Sequence, residues 1–91
     1  MTNEQKRILF VLAETYQQFK AWCLDNDKSS NDPYVKFIYT SNDIRGEQEF
    51  DFTIYGTPHL RRDFNEIMSF LILDESVRRR ANYVKTSNWD F

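Results

Sequence analysis

The residues of this chain that could do chemistry are few, and they stand at the ends of apolar runs. His59 is the single histidine. With Asp43 or Glu14 to orient it, His59 would make a general base, and Ser41 would offer a nucleophilic hydroxyl. Thr15, Ser41, Asp43, Thr57 and His59 together supply hydroxyls, a carboxylate and an imidazole, a set suited to holding a small anion beside helix N-termini. The same residues also have a plainer use. Thr15, Ser41 and Thr57 each stand where a helix or turn begins and can cap it, and a histidine in a helix's first turn is ordinarily a surface residue. On that reading no residue is catalytic and the chain is not an enzyme.

A second group could meet a partner. Arg61, Arg62, Arg78, Arg79 and Arg80 would form one stripe if the last two helices packed side by side, with Tyr83, Trp89 and Phe91 available to stack on bases. Asp63, Glu66, Asp74 and Glu75 are interleaved with them, which equally describes a solvated helix face laced with salt bridges. The whole chain carries 12 basic and 14 acidic residues, a net charge of −2, so no global field holds a nucleic acid or an anionic membrane. One cysteine, Cys23, forms no internal disulfide, and one Cys with one His makes no metal-ligand cluster. No metal or other cofactor is expected. Cys23 itself reads as a buried small hydrophobe.

The elements that would position these residues follow from the apolar pattern. Ile8 to Ala13 is an unbroken apolar run, which predicts a strand buried on both faces, central in its sheet. Thr15-Tyr16-Gln17-Gln18 matches a capping box, and Tyr16, Phe19, Trp22 and Cys23 give the following helix an apolar face ending near Asp25. Residues 25–33 are turn formers. The run 34–40 is a second strand, nearer an edge, and Ser41 to Gly46 a capped turn. Phe50, Phe52 and Ile54 alternate with Asp51, Thr53 and Tyr55 in a third strand. Thr57-Pro58 opens a helix with Leu60, Phe64, Ile67, Met68 and Leu71 on one stripe to about Leu73, and Val77, Ala81 and Val84 mark a shorter final helix.

The expected fold is therefore α/β, a small three-stranded, mainly parallel sheet with flanking helices in the order β-α-β-β-α-α. The third strand lies parallel to the first on the side away from the second, or pairs antiparallel with the second. Residues 1–84 make the domain and 85–91 a flexible tail whose Trp89 and Phe91 would dock on a partner. Eight Phe, five Tyr and two Trp against two Gly and two Pro argue for a dense aromatic core. Six apolar residues after a polar start are too few for a signal peptide or a membrane span, which predicts a cytoplasmic protein.

The succession Arg7-Ile8-Leu9-Phe10-Val11, Thr15-Tyr16-Gln17-Gln18, Arg45-Gly46 and Tyr55-Gly56-Thr57 resembles small uncharacterised proteins of tailed bacteriophages, Rossmann-like or P-loop-like α/β units lacking the Walker motif. The likeness covers residues 6 to 72. It implies a phage accessory protein in the host cytoplasm, acting by binding a host or phage protein during host takeover. The loop after the first strand, Ala13-Glu14-Thr15-Tyr16, has no Gly and no Lys-Ser/Thr pair, and G-x-G-x-x-G is absent, so neither a P-loop triphosphate site nor a conventional dinucleotide site is present. A nucleic-acid or nucleotide binder using the arginines or the strand-end crevice is the second reading. The edge of a small sheet also predicts self-association as a homodimer.

Overall fold

The opening apolar run forms strand β1, Ile8–Leu12, and β1 has a hydrogen-bonded neighbour on each side. The computed structural model describes residues 7–46 and 49–85. After β1 come helix α1 (Tyr16–Asp25), strand β2 (Val35–Phe37), the single turn α2 (Asn42–Arg45) and strand β3 (Phe50–Ile54). A 3-10 turn (Pro58–Leu60), helix α3 (Phe64–Met68), a π-helical turn (Ser69–Leu73), helix α4 (Glu75–Arg78) and strand β4 (Ala81–Tyr83) complete the order. The four strands make one sheet in the order β2-β1-β3-β4, and every pair is parallel.

Parallel strands need crossovers, and here these lie on both faces of the sheet. On one face Val11, Ala13, Val35 and Phe37 close against Phe19, Trp22 and Cys23 of α1. On the other, Phe10, Leu12, Phe50 and Phe52 pack with Ile44, Ile67, Leu71 and Val77 from α2 to α4. Successive β1 side chains point to opposite faces, so a strand covered on both has no place for a polar residue. The Phe10 and Phe50 rings meet edge to face at 5.3 Å.

Two expectations are corrected, and the placement of the third strand holds. The sheet has four strands, not three, because Ala81–Tyr83 is a strand where the Val77, Ala81, Val84 spacing predicts helix. The β3 edge decides the matter: Phe50 N–H donates to Arg80 O and Val84 N–H to Phe52 O, bonds that a continued helix would forgo. The third strand lies parallel to β1 on the side away from β2, as expected, so the alternative antiparallel pairing of strands two and three is not formed. The predicted helix from Thr57 to Leu73 is interrupted, with Arg61 extended at φ −73°, ψ 146°, and Leu60 exposed instead of lying on the apolar stripe. The tail residues Trp89 and Phe91 lie outside the described residues.

The interruption at Arg61 has a visible cause. Its Nη1 donates to Ala13 O (3.0 Å) and Ile38 O (2.7 Å), and Nη2 to Tyr39 O (2.8 Å) and Asp63 Oδ2 (3.1 Å). Nε donates to Asp63 Oδ1 at 2.9 Å. These bonds match the five donors of a guanidinium, and the side chain is 8% exposed. The group also stands over the Phe37 ring, 5.5 Å from its centroid. Arg61 thus holds the carbonyls just beyond β1 and β2 and is committed to the sheet.

Replacing Arg61 with Ala strands three main-chain carbonyls and the Asp63 carboxylate. Urea unfolding of Arg61→Ala is expected to show a loss of about 3 kcal/mol. Arg61→Lys should recover less than half of it, because an ammonium lacks the planar fork.

Candidate functional site: the strand ends and the β2 edge

A sheet in the order β2-β1-β3-β4 reverses its direction of winding between β1 and β3, and open α/β sheets bind ligands at that crevice, beyond the carboxyl ends of the strands. Here the crevice is filled by the chain itself. Gln18, one turn into α1, lays its amide across it: Oε1 accepts from Glu14 N–H (3.0 Å) and Thr57 N–H (3.1 Å), while Nε2 donates to Thr57 Oγ1 (3.0 Å). The Thr57 hydroxyl in turn donates to Glu14 Oε1 at 2.7 Å. Gly56, at φ 74°, lies against this amide, and a Cβ there would collide with Gln18 Oε1. Two converging N–H groups, the kind of pair that cradles an anionic oxygen, are taken by a neutral side chain of the same molecule.

The remaining crevice candidates divide. Thr15 is the α1 cap and accepts from Gln18 N–H at 3.2 Å. Ser41 makes no cap bond and instead donates to Glu66 Oε2 of α3. Asp43 closes the turn after β2, accepting from Tyr39 N–H (2.7 Å) and Thr40 N–H (3.1 Å). His59 is exposed in the 3-10 turn. Thr15 and Thr57 therefore share one knot through Gln18, while Ser41 and Asp43 belong to a second cluster at the end of β2. Every buried side-chain nitrogen and oxygen among the described residues has a partner.

The arginines do not form one stripe. Arg61 caps the carboxyl ends of β1 and β2, whereas Arg80 O receives the N–H of Phe50, at the opposite end of β3. Arg80 donates to Ser76 O and Arg45 O, and Arg79 pairs with Glu75 at 2.9 Å across one helical turn. Arg62 and Arg78 are exposed. Asp74 caps α4, and bonds from the Ser76 hydroxyl and the Val77 and Ser76 amides hold its carboxyl below the ordinary range.

The residues that sequence reasoning missed are the tyrosines at the edge of β2, the strand it places nearest an edge. Tyr16, Phe37 and Tyr39 form a ring cluster: Phe37 and Tyr39 meet edge to face at 4.8 Å, and Tyr16 and Tyr39 stack at 6.2 Å. Tyr39 is 60% exposed, Tyr34 43% and Tyr16 39%. A groove of about 320 Å³ runs along this edge, lined by Tyr16, Asn31, Lys36, Phe37, Tyr39 and Asp43. Tyrosines bracket a strand whose middle residue is Lys36, and a strand near an edge leaves such rings exposed, but their meeting with Tyr16 of α1 shows only in the fold.

Cys23 is buried on the sheet-facing side of α1, and burial, then the Asp32 charge, pushes its thiol above the ordinary value. Burial and the Asp25 carboxylate do the same to the Tyr55 hydroxyl, which donates to Asp25 Oδ2 at 2.9 Å. Among the described residues no three His, Cys, Asp or Glu side chains gather as a metal site, and no helix is long and apolar enough to cross a membrane. No family model, curated protein or solved structure matches the chain.

The Gln18 knot gives a double-mutant test. Gly56→Ala should cost more than the ~1 kcal/mol of a left-handed alanine, because its Cβ meets the amide. Gln18→Ala should cost about 2 kcal/mol through the stranded N–H groups of Glu14 and Thr57. In the combined variant the collision is gone, so urea unfolding should show a loss smaller than the sum.

Proposed function

We propose that this chain is a non-enzymatic binding protein whose working surface is the aromatic edge of β2. The observation that carries the reading is the coincidence of three exposed tyrosines with an open strand edge, beside a strand-end crevice already filled by Gln18 and Arg61. Aromatic side chains are the groups that most often anchor protein partners, since they bury a large area at small entropic cost. The resemblance to phage-encoded α/β proteins lacking the Walker motif makes the partner a host or phage protein, met in the host cytoplasm, and the chain a phage accessory protein. Binding of nucleic acid draws less support, because the arginines it would use are divided between opposite ends of the sheet.

A benzophenone amino acid placed at Tyr39, and in a second variant at Leu24, tests the surface directly. Leu24 is 80% exposed on α1 but does not line the groove. In bacterial lysate, illumination should attach a discrete protein to the position-39 variant and not to the position-24 variant. Equal labelling at both, or labelling abolished by nuclease, would contradict the reading.

A further inference from the structure

We infer that the β2 edge takes an extended segment of the partner as a fifth strand, with a carboxylate of that segment facing Lys36; this rests on the function proposed above. Leu9 N–H donates to Tyr34 O and Ile38 N–H to Val11 O, so the residue of β2 that turns its main chain towards β1 between these bonds is Lys36. Val35 and Phe37 turn theirs outwards. The Val35 N–H is taken by Asp32 O at 3.1 Å. The edge therefore offers the Phe37 N–H, the Phe37 carbonyl and the Val35 carbonyl, a set that an added strand can use in either direction. In both directions one residue of that strand stands directly across from Lys36, on the same face of the sheet, and its neighbours project towards the Phe37 and Tyr16 rings.

Charge selects the residue across from Lys36. None of the ion pairs among the described residues includes Lys36, so its ammonium is the charge that the residue across from it meets. Two carboxylates also line the groove, but they lie beyond the ends of β2: Asp32 accepts from Tyr34 N–H and Asp43 from Tyr39 and Thr40 N–H. An acidic residue at the centre of the added strand pairs with Lys36 at cross-strand distance, and acidic residues towards its ends would meet Asp32 or Asp43. The same geometry disfavours a second copy. Antiparallel pairing that uses the outward groups of both Val35 and Phe37 centres on Lys36 and sets it against its own image, a like-charge contact that natural edges use to prevent self-pairing.

A displayed library of short random peptides, selected on the wild-type protein and on Lys36→Glu, tests this. The wild type should enrich sequences with Asp or Glu at one position between apolar residues, and Lys36→Glu should replace that position with Lys or Arg while keeping the apolar neighbours. For the best wild-type peptide, Lys36→Glu should weaken binding about tenfold or more, and N-methylation should be damaging at alternate residues only. Peptides that need Tyr39 yet show no acidic position, no response to Lys36→Glu or no alternation would overturn the strand-addition inference and leave the protein-binding surface standing. Enrichment indifferent to both Tyr39→Ala and Lys36→Glu would overturn both. A wild-type dimer that tightens on mixing with Lys36→Glu, with no peptide enriched, would overturn the inference in favour of a second copy.

Discussion

A parallel sheet gathers its strand-end carbonyls at one side, and each of them needs a donor if it is taken from water. Arg61 supplies donors to Ala13, Ile38 and Tyr39 at once, with Asp63 balancing its charge. Much of the local architecture depends on this single group. To point its guanidinium at the sheet, the chain leaves helical geometry at Arg61, which divides the segment after β3 into a 3-10 turn and a separate α3. Asp63 is fixed just before α3 by the same contact, and the Phe37 ring is held under the guanidinium, which sets the floor of the aromatic cluster at the β2 edge.

Two regions of the same fold differ in what they leave open to a ligand or partner. Where α/β sheets of this winding ordinarily receive ligands, the amide of Gln18 and the guanidinium of Arg61 take the hydrogen bonds that a ligand would use. A ligand entering there would have to displace bonds already made, at a cost of desolvating their partners. The β2 edge is the opposite case. Its tyrosine rings are half in water, and the Phe37 N–H and the Val35 and Phe37 carbonyls point away from β1, so a partner would gain both apolar burial and hydrogen bonds without breaking any within the sheet.

The α/β class, the central place of β1, the Thr15 cap and the parallel pairing of β3 with β1 were legible from apolar runs and cap residues, because each is a local pattern with one outcome. The β4 strand was not. Val77, Ala81 and Val84 fit a helical period, and only the open edge of β3, a feature far away in sequence, gives Ala81–Tyr83 its bonds. Arg61 was misplaced for a related reason: among arginines separated by acidic residues nothing local distinguishes the one that turns inward. Thr57 and Gln18 were each recognisable as helix-start residues, but their meeting across the crevice depends on β1 and β3 lying side by side, and so does the role of Gly56. The edge place of β2 was legible, but its aromatic cluster was not, because Tyr16 reads as part of the apolar face of α1 until the fold stacks it on Tyr39.

Partner binding at β2, as proposed, requires that its outer edge be open. Amide hydrogen exchange followed residue by residue by NMR measures this directly. Lys36 and Ile38, bonded to β1, should be protected, while the Phe37 amide between them, although its side chain is buried, should exchange faster by orders of magnitude because it points away from the sheet. A Phe37 amide as slow as its two neighbours in the isolated protein would show that the edge is already covered, and would contradict the account.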